Sequence, residues 1–149
     1  MTYGVTITKT FCAAHRLEGH PKCGRLHGHN YSVEAIVVSD RLDDAERMLV
    51  DFGVVKNALG GIIKELDHRY LVSTENMIAQ DPYEKVAMQT GDAVHLPIVA
   101  TTAECLAAYI HSEMISLLRL KPPMEVVIRV RETEGNVAFY APGEDYGHS

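Results

Sequence analysis

The stretch Cys23-Gly-Arg-Leu-His27-Gly-His29-Asn-Tyr31 places two histidines one residue apart at the start of an apolar alternation. Side chains on a β-strand alternate between its two faces, so His27 and His29 point the same way if this run is a strand. The alternation continues to about Val38, which predicts a strand over residues 26–38 with both histidines on its inward face.

His15 lies at the end of a second alternating run, residues 3–15. It falls on the apolar parity of that run, so two neighbouring strands would bring three imidazoles to the end of one apolar surface. Three histidine ligands with an open fourth position are typical of catalytic zinc. Iron, copper or nickel would fit the same spacing, so the spacing alone predicts a metal site and leaves the metal open.

The rest of the chain predicts two helices and two more strands. Asp51 is a helix N-cap candidate, and the apolar residues after it follow helical spacing as far as about Leu66. Thr101-Thr-Ala-Glu104 fits a capping box before a second helix. The helical stripes are Phe52, Val55, Leu59, Ile62, Ile63 and Leu66, then Leu106, Ile110, Met114 and Leu117.

Strands are predicted over residues 124–133 and 136–141, whereas residues 72–100 show no sustained period beyond a possible short strand within 94–99. The resulting order is ββααββ, which indicates an α+β fold with an antiparallel sheet and two helices. A chain of 149 residues, 46% of them hydrophobic, suits a single domain over 1–149.

Charge and cysteine content limit the function classes. The net charge of −6 offers no basic surface for nucleic acid or for an anionic membrane. Three irregularly spaced cysteines argue against a disulfide framework and favour a reducing compartment. We find no signal-peptide pattern and no apolar stretch of transmembrane length, so we expect a cytoplasmic protein.

Cys23 is a candidate catalytic thiol. It lies in a turn-rich loop between the histidines, close to Lys22 and Arg25, and positive charges favour a thiolate. By contrast, Cys12 and Cys105 fit the usual pattern of a free cysteine that acts as a small buried hydrophobe.

Three acidic residues and one more histidine complete the candidates. Asp67-His68 is either a locally hydrogen-bonded helix end or a dyad for proton transfer. Glu132 falls on the inward parity of its strand, where a carboxylate needs hydrogen-bond donors, so we expect it to bind a ligand. Glu104 is most simply a capping residue.

Taken together, these motifs resemble the 6-pyruvoyl-tetrahydropterin synthase and 6-carboxy-tetrahydropterin synthase family. The matching segments occur in the family's order: Phe11-Cys-Ala-Ala-His15-Arg-Leu17, Cys23-x-x-x-His27-Gly-His29-Asn-Tyr31, Val50-Asp-Phe52, Leu66-Asp-His68, Thr101-Thr-Ala-Glu104 and Arg131-Glu-Thr133. Each segment alone is a weak signal, whereas the combination is specific and spans most of the chain.

The resemblance implies a role for each candidate residue. Zn²⁺ would be bound by His15, His27 and His29, and Cys23 would be the proton acceptor. Asp67 and His68 would complete the proton relay. Glu132 would anchor the pterin ring and take part in catalysis, and Glu104 would be a weaker pterin contact. Lys22, Arg25 and Arg69 are candidates for the triphosphate by their proximity in sequence.

The family has the tunnelling fold (T-fold) and forms homo-oligomers, commonly a hexamer made of two trimers, with active sites between subunits. The three-residue spacer between Cys23 and His27 resembles the bacterial 6-carboxy branch. That branch is a carbon–carbon lyase, which converts 7,8-dihydroneopterin triphosphate to 6-carboxy-5,6,7,8-tetrahydropterin, acetaldehyde and triphosphate on the route to queuosine and other 7-deazapurines.

Three other functions remain open. The first is the 6-pyruvoyl type of triphosphate elimination, and the second is a non-catalytic pterin- or purine-binding module with a structural zinc. A structural site would normally be closed by four protein ligands, which disfavours the second. The third, a metal-dependent hydrolase, is disfavoured by the absence of a His-Glu-x-x-His pattern.

Overall fold

The central feature of the computed structural model is a long antiparallel hairpin. The structure describes residues 1–75 and 81–143. Strands β1 (Tyr3–His15) and β2 (His27–Ser39) pair along their whole length. Their register puts His15 opposite His27 and Ala13 opposite His29. The predicted strands are therefore confirmed, and the register brings the three histidines to one end of the pair.

Four shorter strands extend this hairpin into a six-stranded sheet. They are β3 (Arg69–Ser73), β4 (Ala93–Leu96), β5 (Glu125–Thr133) and β6 (Asn136–Tyr140), and the order across the sheet is β4-β3-β1-β2-β5-β6. The β3 strand runs parallel to both β1 and β4, whereas the other pairs are antiparallel. The sheet is mixed because a helix connects β2 to β3, which then pairs in the parallel direction with the edge of β1 that β2 leaves free.

Three helices occur in the described part of the chain: α1 (Phe52–Leu66), α2 (Pro82–Thr90) and α3 (Ala103–Leu118). Asp51 caps α1, as predicted, by accepting from the Gly53 amide at 2.6 Å. The main core lies between one face of the sheet and helices α1 and α3. Among the described residues, no helix combines the length and the apolar character needed to cross a membrane.

The α+β class is confirmed, but the predicted ββααββ order is incomplete. Residues 72–100 supply α2, β4 and the last two residues of β3, so the sheet is not purely antiparallel and the described chain has three helices. Residues 76–80 of that segment lie outside the described residues. Two stripe assignments are wrong, since Phe52 and Leu117 are 64% and 55% exposed. Phe52 is the first residue of α1 and Leu117 is the last but one of α3, so both lie at helix ends.

The capping box predicted at the start of α3 is shifted by one residue. Thr102 is the N-cap and accepts from the Cys105 amide, so Glu104 lies in the first turn without the reciprocal position of a capping box. The reason is that Thr101 is 3% exposed and already bonded to His15. The helix therefore begins one residue later than the motif predicts.

Candidate active site

Three imidazoles meet at the end of the β1–β2 pair. Ring centroids lie 4.6 Å apart for His15 and His27, 5.1 Å for His15 and His29, and 4.9 Å for His27 and His29. Each ring offers one nitrogen, and these three nitrogens lie within 4.8 Å of one another. Shared parity and register are sufficient to explain the convergence, because directly paired residues project from the same face.

The tautomers of two rings are fixed by backbone carbonyls. His15 Nδ1 lies 2.9 Å from the Thr101 oxygen, and His27 Nδ1 lies 2.7 Å from the Arg25 oxygen. A carbonyl only accepts, so each Nδ1 carries the hydrogen and each Nε2 presents a lone pair. All three Nε2 atoms are buried, and none has a hydrogen-bond partner among the residues that the structure describes.

The surroundings of His15 and His29 favour the neutral form that metal ligation requires. Burial, together with the neighbouring His27 and His29, lowers the pKa of His15 to about 4, against the opposing effect of its bond to Thr101. Burial and then His27 lower the pKa of His29. Buried, unpartnered imidazole nitrogens in this state fit a bound metal ion, because a ligand bond would satisfy them.

Gly28 explains why the two histidines of β2 are separated by glycine. A Cβ at this position would lie 2.9 Å from the Ala13 carbonyl oxygen on β1. Any side chain would therefore push the two strands apart at the place where His15 and His27 pair. The His-Gly-His spacing depends on the missing side chain as well as on the alternation.

Two carboxylates border the metal group. Glu132 Oε2 lies 3.8 Å from His29 Nε2, and Glu132 Oε1 is buried with no hydrogen-bond partner in the described part of the chain. Burial and then Glu104 raise the pKa of Glu132, whereas His27 opposes the shift. Both glutamates line a cavity of about 400 Å³ between the start of α3 and the β5–β6 turn, with Leu17, Asn136 and Ala138.

Cys23 lies in the loop before β2 and is half-buried. Its amide donates to His20 Nδ1 at 2.8 Å, and its carbonyl accepts from the Leu17 amide at 2.8 Å. Its sulfur is not part of the group whose donor atoms lie within 4.8 Å of one another, so, among the described residues, that group consists of three imidazoles alone. A metal ion bound by these three nitrogens would keep a coordination position for a substrate or water.

Asp67 and His68 lie on the other face of the β1–β2 pair. Asp67 Oδ2 is 3.0 Å from His68 Nδ1, so the predicted Asp-His pair is present. The dyad contacts Cys12, whose parity on β1 is opposite to that of His15. Within one chain the structure therefore brings the histidines together with Glu132 and places the dyad elsewhere.

Sequence reasoning missed three supporting residues. Thr101 holds His15 through its carbonyl and through Oγ1, which is 3.2 Å from Nδ1. Tyr31 is fully buried, and its hydroxyl lies 3.5 Å from His15 Nδ1; burial raises its pKa, which keeps the hydroxyl protonated. His20 shapes the Cys23 loop. Only Tyr31 carried a signal, since it continues the parity of His27 and His29.

Of the three basic residues considered for the triphosphate, Arg69 has a structural contact. Its guanidinium donates to the Gly91 carbonyl at 2.5 Å, which ties the start of β3 to the turn before β4. Lys22 and Arg25 flank Cys23 in the loop before β2, so they lie nearer along the chain to the candidate catalytic thiol.

A comparison with protein families identifies the fold and the motifs as one unit. The family model described as 6-pyruvoyl tetrahydropterin synthase matches residues 4–143, nearly the whole chain. The chain belongs to this family. The resemblance stated from the sequence motifs is therefore confirmed, and with it the expectation of an enzyme from a family of pterin lyases.

Relatives in the family carry the 6-carboxy name. The chain is 34% identical over 121 residues to the 6-carboxy-5,6,7,8-tetrahydropterin synthase of Synechocystis sp., a match that covers 73% of this chain and 94% of the relative. It is 37% identical over 91 residues to the enzyme of the same name from Aquifex aeolicus, across 60% of this chain and 55% of that protein.

Solved structures carry the same fold at lower identity. The 6-pyruvoyl tetrahydropterin synthase of Plasmodium falciparum superposes with a TM-score of 0.78 at 21% identity, over 96% of this chain and 99% of that one. At this identity the likeness shows the fold alone. It confirms the tunnelling-fold architecture for the described sheet and helices.

Proposed function

We propose that the protein is a zinc-dependent lyase that converts 7,8-dihydroneopterin triphosphate and one water to 6-carboxy-5,6,7,8-tetrahydropterin, with release of acetaldehyde and triphosphate. The proposal places the enzyme in the cytoplasm, on the route to queuosine and related 7-deazapurines. The observation that carries it is the group of three buried imidazole nitrogens beside a cavity lined by two glutamates. The names of the 6-carboxy relatives and the three-residue Cys23–His27 spacer support the choice of branch.

The metal ligands would be Nε2 of His15, His27 and His29, and zinc suits three neutral imidazoles with an open position. When bound there, zinc would make protons next to the substrate's side-chain hydroxyls more acidic. Cys23 would accept one of these protons, because its loop leads directly into His27, one of the proposed metal ligands. The electrons left behind would move into the dihydropterin ring, so no external redox cofactor is required.

Glu132 would orient the pterin ring. Its buried Oε1 has acceptor capacity, and the amide and amino groups of a pterin are the matching donors. Glu104 lines the same cavity and would make a second contact. We expect Glu132→Gln to raise KM about tenfold or more, the effect of losing a charge-assisted hydrogen bond, whereas Glu104→Gln has a smaller effect. An equal effect of the two substitutions would contradict this assignment.

The placement of Asp67 and His68 supports an assembly with active sites between subunits. They lie on the face of the β1–β2 pair opposite the metal group, so the dyad of one subunit would serve Cys23 of a neighbour. We propose a homohexamer of two trimers built from single-domain chains. Analytical ultracentrifugation measures the assembly, and a monomer with full activity would contradict it.

The decisive assay incubates zinc-loaded protein with 7,8-dihydroneopterin triphosphate and measures acetaldehyde and pterin products together. We expect acetaldehyde and 6-carboxy-tetrahydropterin in equal amounts, with Cys23→Ala losing turnover while zinc content is kept. Near-normal turnover of Cys23→Ala would remove Cys23 from the mechanism. Tight pterin binding without any turnover would favour a binding module.

The second candidate is the 6-pyruvoyl reaction, favoured by the name of the matching family model. It eliminates triphosphate without cleaving the side-chain carbon–carbon bond, so it releases no acetaldehyde. A 6-pyruvoyl product without acetaldehyde in the same assay would keep the metal site and the pterin cavity and change the branch.

A further inference from the structure

Cys12 is linked to the Asp67–His68 dyad by three contacts within one chain. The Cys12 amide donates to Asp67 Oδ1 at 3.0 Å, and the His68 amide donates to the Cys12 carbonyl at 2.7 Å. The third contact joins the side chains, since Cys12 Sγ lies 3.5 Å from His68 Nε2. The first two contacts fix the backbone on both sides, so the thiol–imidazole contact is held by the fold.

The three side chains have the order of a nucleophile, a base and a group that orients the base. Asp67 Oδ2 lies 3.0 Å from His68 Nδ1, and a carboxylate there favours the hydrogen on Nδ1. The Nε2 lone pair then faces the Cys12 thiol, which can donate its hydrogen to it. The hydrogen bond from the Cys12 amide, followed by that from His68, lowers the pKa of Asp67, which keeps it ionised.

The backbone at His68 adds to this arrangement. Its φ of +59° lies in the left-handed region, which is uncommon for a residue with a side chain. The amide bond to the Cys12 carbonyl maintains this conformation between the end of α1 and the start of β3. The strained residue is thus the one whose ring faces the thiol, a placement typical of functional sites.

We propose that Cys12 is a second reactive thiol, distinct from Cys23, and a site of modification by low-molecular-weight disulfides. In the exchange, Cys12 sulfur forms a bond to one sulfur of the reagent and the reagent's own S–S bond breaks. The thiol proton passes to His68 Nε2 and from there to the departing thiolate. The reagent is the oxidant, and the product is a mixed disulfide on Cys12.

Within a single chain the site is open to such a reagent. Cys12 is half-buried at the edge of a cavity of about 680 Å³ that His68 also lines, together with Leu26, Tyr83 and Val86. The His68 side chain is 78% exposed. In the proposed assembly the dyad must meet a pterin triphosphate, so a small disulfide can reach it as well.

Modification would interrupt catalysis, an effect that rests on the proposed function. A mixed disulfide on Cys12 would occupy the space beside His68 Nε2 and remove that nitrogen from proton transfer to a substrate. A thiol reductant would restore the enzyme by the reverse exchange. The reactivity itself depends only on the Cys12–His68–Asp67 contacts.

The reactivity is measured on the full-length, zinc-loaded protein with oxidised glutathione as the probe. Peptide mass spectrometry follows modification of Cys12 and of Cys105, a half-buried thiol on α3 that serves as the internal control. An ordinary thiol is already a few per cent ionised at neutral pH, so we expect Cys12 to react about tenfold faster than Cys105, rather than thousands-fold faster.

Two variants test the cause. His68→Gln removes the base, and Asp67→Asn removes the orienting carboxylate. Either substitution should lower the rate at which oxidised glutathione modifies Cys12 to about that of Cys105, while the rate at Cys105 is unchanged. A rate at Cys12 equal to that at Cys105 in the parent, or a fast rate that survives His68→Gln, would overturn the proposal. Neither measurement requires turnover, so failure of the proposed function would be seen separately.

The catalytic consequence is tested with Cys12→Ser. Oxidised glutathione should inactivate the parent in step with the modification of Cys12, and dithiothreitol should restore activity. The Cys12→Ser variant should lose activity at least about tenfold more slowly under the same treatment. Equal inactivation of both proteins would show that modification of another thiol is responsible and would overturn the regulatory part.

Discussion

His15 is a buried histidine whose neutral state is built into the fold. Its pKa falls from 6.5 to about 4, so in the metal-free protein the unfolded chain binds a proton in this interval and the folded chain does not. The contribution of neutral His15 to the free energy of unfolding is therefore fully present above pH 6.5 and is lost as the pH falls towards 4. We expect a loss in the free energy of unfolding on the order of 3 kcal/mol, measured by urea unfolding of the metal-free protein.

The matched control is His15→Gln, which keeps a polar side chain and cannot titrate. Its free energy of unfolding should depend less on pH than that of the parent over the same interval. If the two slopes are equal, another group is responsible for the acid sensitivity.

Thr101 and Thr102 are adjacent threonines, but one contacts a metal-ligand candidate and the other caps a helix. Thr101 Oγ1 lies 3.2 Å from His15 Nδ1, whereas Thr102 caps α3. We expect Thr101→Val to weaken zinc binding about tenfold, because outer contacts orient the ligand ring. Competition with a chromophoric chelator measures the affinity.

Thr102→Val is the control for this substitution. It should cost about 1 kcal/mol of stability through the lost N-cap and leave zinc affinity unchanged. A zinc affinity that falls equally in both variants would show that the start of α3, rather than Thr101 itself, controls the site.

At the level of elements, α2 is held by one buried carboxylate. Asp81 caps the helix through the Tyr83 amide at 3.0 Å, accepts from the Tyr70 hydroxyl at 2.6 Å and pairs with Arg16 at 3.1 Å. Its side chain is only 4% exposed, so its removal leaves the partly buried Arg16 guanidinium without a carboxylate partner. We expect Asp81→Ala to lower the free energy of unfolding by about 3 kcal/mol, measured by urea unfolding.

Asp51→Ala is the matched control, because Asp51 caps α1 from an exposed position. It should cost only about 1 kcal/mol. Similar losses for the two aspartates would mean that the Arg16 and Tyr70 contacts contribute little beyond the cap.

The same elements show how far sequence reasoning extends. The long strands were predictable because one face of each is buried, and α1 because five buried residues follow its N-cap at helical spacing. In β3 four consecutive residues are buried, so no alternation exists to be detected. In α2 the buried residues are Glu84 and Ala87, which form no apolar stripe. Those two elements depend on tertiary contacts that local pattern does not encode.

The candidate site, too, was only partly predictable from the sequence. Parity and register alone bring His15, His27 and His29 together, so the metal group was predictable. The Cys12–His68 contact was not, since it depends on the turn from α1 into β3 and on the positive φ of His68. The sequence predicted Cys12 to be a small buried hydrophobe, whereas it is half-buried, and its parity opposite to that of His15 brings it to the dyad.

For the whole molecule, the dyad and the group of three histidines lie on opposite faces, so in the proposed assembly each active site would combine residues of two copies. A chain lacking Cys23 and a chain lacking His68 would each be inactive alone, yet each retains the half that the other has lost. If they are unfolded and reassembled together in equal amounts, about a quarter of the sites should combine two intact halves.

The mixture of Cys23→Ala and His68→Ala should therefore recover about a quarter of the parent activity, measured by acetaldehyde release. A mixture of Cys23→Ala with Glu132→Ala is the control, because both lost groups belong to the half that carries the histidines, and it should show no activity beyond that of the Glu132→Ala chains themselves. Recovery in neither mixture would mean that each chain works alone. In genetic terms, two loss-of-function alleles would complement each other, and the functional unit of the proposed assembly would be the contact between chains rather than the chain.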